Sequence, residues 1–445
     1  MTEQRRTAWF AVPGAAAGTA WVDATGNLPT LTFSVSSGST TVRAVHGVAL
    51  PEIGLRGPVL ECRLHTTDDW TPETVVPVFV ELGRQPEGWI PPPGWSSAAL
   101  DGFDLAVDPG LAARAEQWRA EQLGRGAPDP LAPAWSRPGW YGDIVGWAMA
   151  ALAAHQPVVP VTVEPVRLWG IAAMLRLADA GGRVWWCKAT CDLFHREAAV
   201  TAFLAQAVPG LVAPVVAVEP ARGWVLLGDL GEAAATGDAT SHTTAYPALR
   251  ELQRALTGRE ADALAAGAVH RPLAALPDAF ADALADPLLS DWHDVAPERA
   301  GQLVAWLHRA VGEVAELGLP DVVVHGDFHP GNVATLAGGE RVVFDWSDAA
   351  LGPPFLDVPT WLSWLSDDDD EPERARVWES FATGWADVLP ADAWRARRTL
   401  FEGVAGAYHV VSYAGILRTT EPSRHDEHGS GIGEFLGFVT AAVPG

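Results

Sequence analysis

Residues 321–346 read DVVVHGDFHPGNVATLAGGERVVFDW, and this stretch decides the fold. Its pattern predicts a strand, a tight loop, a short hairpin and a second strand. Asp327 and Asn332 fall in the loop, and Asp345 is expected to end the second strand. Two carboxylates and one amide then meet at the mouth of a small sheet. Phosphoryl transfer from a magnesium nucleotide needs such a set. One Asp orients or deprotonates the acceptor hydroxyl, while an Asn and a second Asp hold metal against the phosphates.

Two rarities sharpen the reading. Of 30 Lys+Arg residues only Lys188 is a lysine. A compact ammonium on phosphate oxygens is a place where a forked guanidinium is a poor substitute. There are two asparagines, Asn27 and Asn332, and the second lies in the decisive loop.

At 445 residues the chain predicts two or three domains, and 48% hydrophobic with 19% charged residues is globular. A net charge of −25 argues against nucleic acid or an anionic membrane as partner. Cys62, Cys187 and Cys191 give neither a disulfide framework nor zinc spacing, and a reducing cytoplasm is expected. Arg5 and Arg6 precede an apolar stretch, but Pro13, Gly14 and Gly18 make it read as strand and turn rather than as a signal segment. No membrane span is expected.

Residues 1–124 predict an α+β domain with strands at 30–36, 59–65 and 75–83 and a helix at 108–123. A Pro/Gly-rich linker and a connecting helix fill 125–156. Three antiparallel strands are expected at 158–170, 171–180 and 183–190, with Gly181-Gly182 as a turn, then a helix at 195–208 and two strands ending near 231. Residues 240–318 read as mainly helical, and helices resume after the hairpin. The expected domains are thus 1–124, 125–156, 157–232 and 233–445. The fold class is α+β.

The order of these elements resembles the bilobal protein-kinase-like fold. HGDFHPGN, then FDW, then DAALGPPFLDV resemble the aminoglycoside phosphotransferase and choline kinase superfamily over about 158–445. The resemblance implies that Asp327 is the catalytic base and that Asn332 and Asp345 bind Mg²⁺. It implies that Lys188 grips the α/β-phosphates of ATP or GTP, that Glu197 (with Asp192 as competitor) is the ion-pair partner of Lys188, and that the backbone at Leu227–Asp229 pairs with the base. Trp346 stands where protein kinases carry the Phe of Asp-Phe-Gly. His325 and His329 read as structural. Asp357 reads as a tie between the loop after the metal site and the following helix. Asp348 is a candidate for facing substrate, and Tyr408, His409, Tyr413 and Arg418 are candidates for the acceptor wall. The acidic run 367–371 reads as a helix start.

The implied function is transfer of a γ-phosphoryl group to a hydroxyl of a small acceptor. The acidic balance and the family tilt that acceptor toward an aminosugar, an aminoglycoside or a choline-like alcohol. Two features depart from the pattern. The turn expected to cover the phosphates, VRLWGIAA, offers only Gly170, with Arg167 and Trp169 before it, which keeps a non-catalytic nucleotide-binding protein open as an alternative. The N-terminal domain faintly resembles a Nudix domain, but RAVHGVALPEIGL (43–55) lacks that family's acidic metal helix. No Ala-Pro-Glu segment follows Asp345, which disfavours protein as acceptor.

Overall fold

A computed structural model describes residues 3–36, 39–65, 71, 74–125, 127, 129–155, 161–230, 241–336, 338–365 and 371–443. The chain divides into two compact units, Met1–Lys188 and Ala189–Gly445, and the division falls inside one strand.

The first unit opens with β1 (Gln4–Ala11), β2 (Thr19–Val22) and β3 (Thr30–Val35). Short helices α1 (Thr41–Ala44) and α2 (Leu50–Glu52) flank a π-helical turn at Val45–Ala49. Glu52 is the only acid in these three segments. Then come β4 (Val59–Leu64), β5 (Val76–Leu82), β6 (Ser96–Ala99), α3 (Ala112–Gln122) and α4 (Trp140–His155). The main sheet runs β3-β1-β5-β4. Its central pair, β1 with β5, is parallel and joins segments about 70 residues apart, while both outer pairs are antiparallel.

Arg6, Ala8 and Phe10 alternate inward along β1, the period a half-buried strand demands. Glu61 of β4 lies directly opposite Glu81 of β5. Two like charges facing across a ladder repel, and Arg114 of α3 resolves the conflict. Its Nε donates to Glu61 Oε2 at 2.7 Å and its Nη2 to Glu81. These carboxylates hold the Arg114 guanidinium well above its ordinary pKa in spite of burial.

The first unit closes with β7 (Val161–Leu168), β8 (Ala172–Asp179) and most of β9 (Val184–Thr190). The turn between β7 and β8 is short: Trp169 N–H donates to Ala172 O at 2.8 Å, and the Arg167 guanidinium stacks 3.6 Å from the Trp169 ring centre. Arg43 of α1 ion-pairs with Glu164 of β7 at 2.8 Å, so the N-terminal sheet domain and this hairpin pack as one unit.

In the second unit Thr190, at the end of β9, donates its N–H to Gly223 O. The order then runs α5 (Glu197–Ala207), β10 (Val215–Glu219), β11 (Trp224–Leu227), α6 (Ser241–Ala255), α7 (Glu260–Ala266), β12 (Val269–His270), α8 (Leu276–Leu284) and α9 (Pro297–Glu316). α9 starts with Pro at its first position and buries Leu303, Leu307, Ala310, Val311 and Val314, one stripe at helical spacing. The hairpin region gives β13 (Val322–Val324), β14 (Val333–Thr335), β15 (Arg341–Val343) and β16 (Ala350–Gly352). Helices α10 (Val358–Leu362), α11 (Glu371–Gly384), α12 (Ala391–Ala396), α13 (Arg398–Thr419) and α14 (Ser430–Ala442) complete the chain. Residues 367–370 of the acidic run lie outside the described residues.

α13 is the spine of this unit. A Cβ at Gly403 would sit 2.4 Å from Trp306 of α9, and one at Gly406 would sit 2.7 Å from Phe435 O of α14. Glycine is what lets these helices close on α13. Among the described residues α13 is the one helix long and apolar enough to cross a membrane by length and composition, yet 67% of its apolar window is buried in the protein. The fold class is α+β, as the sequence predicts. The two-residue β12 interrupts a region expected to be mainly helical, and β16, unforeseen in the sequence, joins it in the order β12-β16-β13.

Candidate active site

The site is built from the loop after β13 and the segment after β15. Val333 pairs with Val343 in the β14–β15 hairpin, and Phe344 N–H donates to Asn332 O at 3.1 Å. This register sets Asn332 beside Phe344 and delivers Asp345 to the same end of the hairpin. Asp345 does not end a strand as expected. It stands two residues past β15 with φ 66°, the only non-glycine residue with positive φ among those described. That left-handed backbone is one Asp tolerates better than most residues. Ser347 Oγ donates to its Oδ1 at 3.0 Å.

Asp327 is tied down from three sides. Its N–H donates to His325 Nδ1 at 3.2 Å. Asn332 Nδ2 lies 2.9 Å from its carbonyl oxygen and 3.3 Å from its Oδ2. His329 Nε2 stands 3.4 Å from the same Oδ2. Burial alone would push the Asp327 carboxyl up, but the bond from His329 and the surrounding imidazoles bring it down to about 2. Asn332 spends its amide N–H groups on Asp327, which leaves Oδ1 as the atom that could hold a cation. One amide oxygen and one carboxylate make a hard, sparse donor set. It suits Mg²⁺, which takes one or two carboxylates and completes its shell with phosphate and water.

Both histidines have structural contacts. His325 is fully buried, its Nε2–H donates to Phe344 O at 2.9 Å, and burial lowers its pKa. A neutral ring is therefore held between the two halves of the site. His329 Nδ1 accepts from Gly331 N–H at 3.0 Å, and its ring stacks 4.0 Å over Trp364.

The Asp357 side chain acts on the loop before the site and on α6. Its Oδ2 accepts from His325 N–H at 3.1 Å and its Oδ1 from Gly326 N–H at 2.8 Å, and Gln253 adds a third bond at 3.2 Å. Complete burial pushes this carboxyl up to about 7 against the pull of those donors. The sequence reading had it tie the later loop to the next helix; the observed tie runs back to the loop carrying Asp327.

Gly326 makes the close approach possible. It has φ 82°, and a Cβ there would lie 2.5 Å from Asp348 O and 2.7 Å from Asp348 Cβ. Gly326→Ala is expected to displace Asp327 or Asp348 and to lower turnover by at least about 10²-fold, since small misplacements near reacting atoms cost that much. Steady-state kinetics on a variant with native circular dichroism checks it.

Asp348 is half-buried beside Asp327, and desolvation together with the Asp327 charge pushes it up to about 6. Ser412 Oγ of α13 donates to its Oδ1 at 3.3 Å, and Arg271 Nη1 donates to the same hydroxyl at 2.8 Å. Tyr408 lies under Arg271, the guanidinium 5.3 Å from its ring centre. His409 is buried, donates Nε2–H to Leu356 O at 2.9 Å and packs on Phe435. Tyr413 packs on Phe435, and Arg418 is engaged by Asp286 at 2.7 Å.

Asp327, Asn332, Asp345 and Asp348 thus share one site in the second unit. Glu197, the first residue of α5, is 3% exposed in the same unit. Leu227 ends β11 buried, and Asp229 follows it exposed. Lys188 is 7% exposed in β9 and is the last residue of the first unit. The sequence reading missed Arg196 and Arg271. Arg196 stood next to the named Glu197, and Arg271 follows a strand too short to be read.

Residues 175–394 match the sequence model of the phosphotransferase enzyme family. Among solved structures, a choline kinase from Cryptosporidium parvum is similar at 8% identity and TM-score 0.50, covering 68% of this chain and 95% of that one. A choline kinase from Streptococcus pneumoniae is similar at 11% identity and TM-score 0.49, covering 68% and 98%. An ethanolamine kinase from Plasmodium vivax is similar at 11% identity and TM-score 0.48, covering 76% and 95%. Among curated proteins no sequence matches the chain.

Proposed function

We propose that this chain, whose residues 175–394 belong to the phosphotransferase enzyme family, moves the γ-phosphoryl group of a nucleoside triphosphate directly onto a hydroxyl of a small molecule. One observation carries the reading: Asp327, Asn332 and Asp345 converge on one end of a hairpin, with the Asn amide bridging to the Asp327 carboxylate. The acceptor oxygen bonds to the γ-phosphorus as the bond to the β–γ bridging oxygen breaks. Asp327, held ionised by its low pKa, aligns the hydroxyl and takes its proton late. Asn332 and Asp345 would hold Mg²⁺, which supplies charge neutralisation at the phosphates. Lys188 and Glu197 are assigned to the phosphates and the backbone at Leu227–Asp229 to the base, on the pattern of the sequence. Three free cysteines suit a reducing compartment such as the cytoplasm.

The test is nucleotide-dependent thermal stabilisation followed by transfer from ATP and from GTP across a panel of alcohols. Stabilisation requiring Mg²⁺, lost in Asp345→Asn, together with a phosphorylated alcohol is the expected result. Stabilisation without transfer to any acceptor would instead favour a kinase-like binding protein, a reading motivated by the lone Gly170 in the β7–β8 turn. The overall charge of −25 and the resemblance to aminoglycoside and choline kinases are what tilt the acceptor toward an amine-bearing alcohol.

A further inference from the structure

Arg196 and Arg271 take no part in the transfer just described, yet the charges of both act on Asp348. Arg196 immediately precedes α5, and its Nη1 donates to Leu193 O, which fixes the guanidinium plane. Its Nε and Nη2 are buried and have no hydrogen-bond partner among the described residues. Those two nitrogens share one edge of the guanidinium, the edge that grips a carboxylate or phosphate through two parallel bonds. Burial weighs most on Arg196, and Asp348, Arg271, Tyr408 and Cys191 are the titratable groups whose charge acts on it. Tyr408 Oη is also buried without a partner among the described residues. Among the described residues Arg271 donates to Ser412 Oγ and lies over the Tyr408 ring.

Two guanidiniums therefore stand within each other's field, with three unanswered N–H and O–H groups between α5, β12 and α13. A buried donor without an acceptor is costly, and Asp348 sets only one carboxyl against two guanidiniums. One group removes both costs: an oxyanion brought by a ligand. A pocket among these groups would adjoin Asp348, which packs on Gly326 beside Asp327.

We propose that this pocket receives an anionic group on the acceptor, making the substrate a hydroxy acid or a phosphorylated alcohol rather than an amino alcohol. The assignment of the pocket to the acceptor rests on the kinase reading; the anion preference itself does not. The test is isothermal titration of the full chain with four compounds on one scaffold: glycerate, glycerol 3-phosphate, glycerol and 3-amino-1,2-propanediol. At least one anion is expected to bind 10-fold or more tightly than glycerol or the amine. Whichever anion binds better tells carboxylate from phosphate.

Arg196→Gln and Arg271→Gln are each expected to weaken that anion at least about 10-fold. Should Arg196→Gln not fold, Tyr408→Phe removes only the unanswered hydroxyl and is expected to cost about threefold. Asp327→Asn should still bind the anion. Anion binding with no phosphoryl transfer would therefore strike the kinase reading and leave this one standing. Tighter binding of the amine, anions no better than glycerol, or anion affinity unchanged in the arginine variants would overturn it.

Discussion

Asp327→Asn is expected to lower kcat by about 10²–10⁴-fold, the range a positioned general base supplies, while Mg²⁺–nucleotide binding persists. The substitution keeps shape and volume, and its Oδ1 can still meet His329. What it loses is the ability to take the acceptor proton. Single-turnover transfer alongside nucleotide titration checks it, and full activity in the variant would remove Asp327 from the chemistry. The pH profile adds a second check. With Asp327 lowered to about 2, this carboxylate stays ionised through the working range and contributes no acid limb above about pH 3. An acid limb near pH 6 to 7 would report Asp348, raised to about 6, or Asp357, raised to about 7, both chiefly by burial. For stability the sign follows from the same lowering. Asp327 stabilises the fold above its unfolded pKa of about 3.9, and that contribution is lost as pH falls toward 2.

The largest expected loss of stability comes from Asp357→Ala. The carboxylate is 0% exposed and accepts from two buried backbone N–H groups and from Gln253. Removing it orphans the His325 and Gly326 amides, at about 1–3 kcal/mol each. A destabilisation of about 3 kcal/mol or more is therefore expected, read as a lowered urea midpoint. Asp357→Asn should recover little, because its Nδ2 would face one of those amides donor to donor. A midpoint within about 0.5 kcal/mol of the parent would show that the loop holds without the tie.

The parts of the site carried by one contiguous stretch were legible in the sequence. Asp327, Asn332 and Asp345 are set by a short hairpin whose spacing is local. The left-handed backbone at Asp345 was not legible, because it arises where Phe344 pairs back to Asn332. Arg196 and Arg271 carried no rarity signal in a chain where nearly every basic residue is arginine. They become visible only once β12 pairs with β16 and brings Arg271 to Ser412. In the first unit the strands 30–35, 59–64 and 76–82 fall where alternation put them. The parallel pairing of β1 with β5, and the arginine between Glu61 and Glu81, are long-range facts that no local period encodes.

A carboxylate at position 345 comes with a thermodynamic penalty that a glycine would relieve. The left-handed conformation costs a side-chain-bearing residue about 1 kcal/mol, less for Asp than for most. Local folding preference and the proposed metal-binding role thus pull in opposite directions at one codon. In a lineage released from the reaction, drift would be expected to erode this aspartate early, while Asp357, which the fold itself requires, would outlast it.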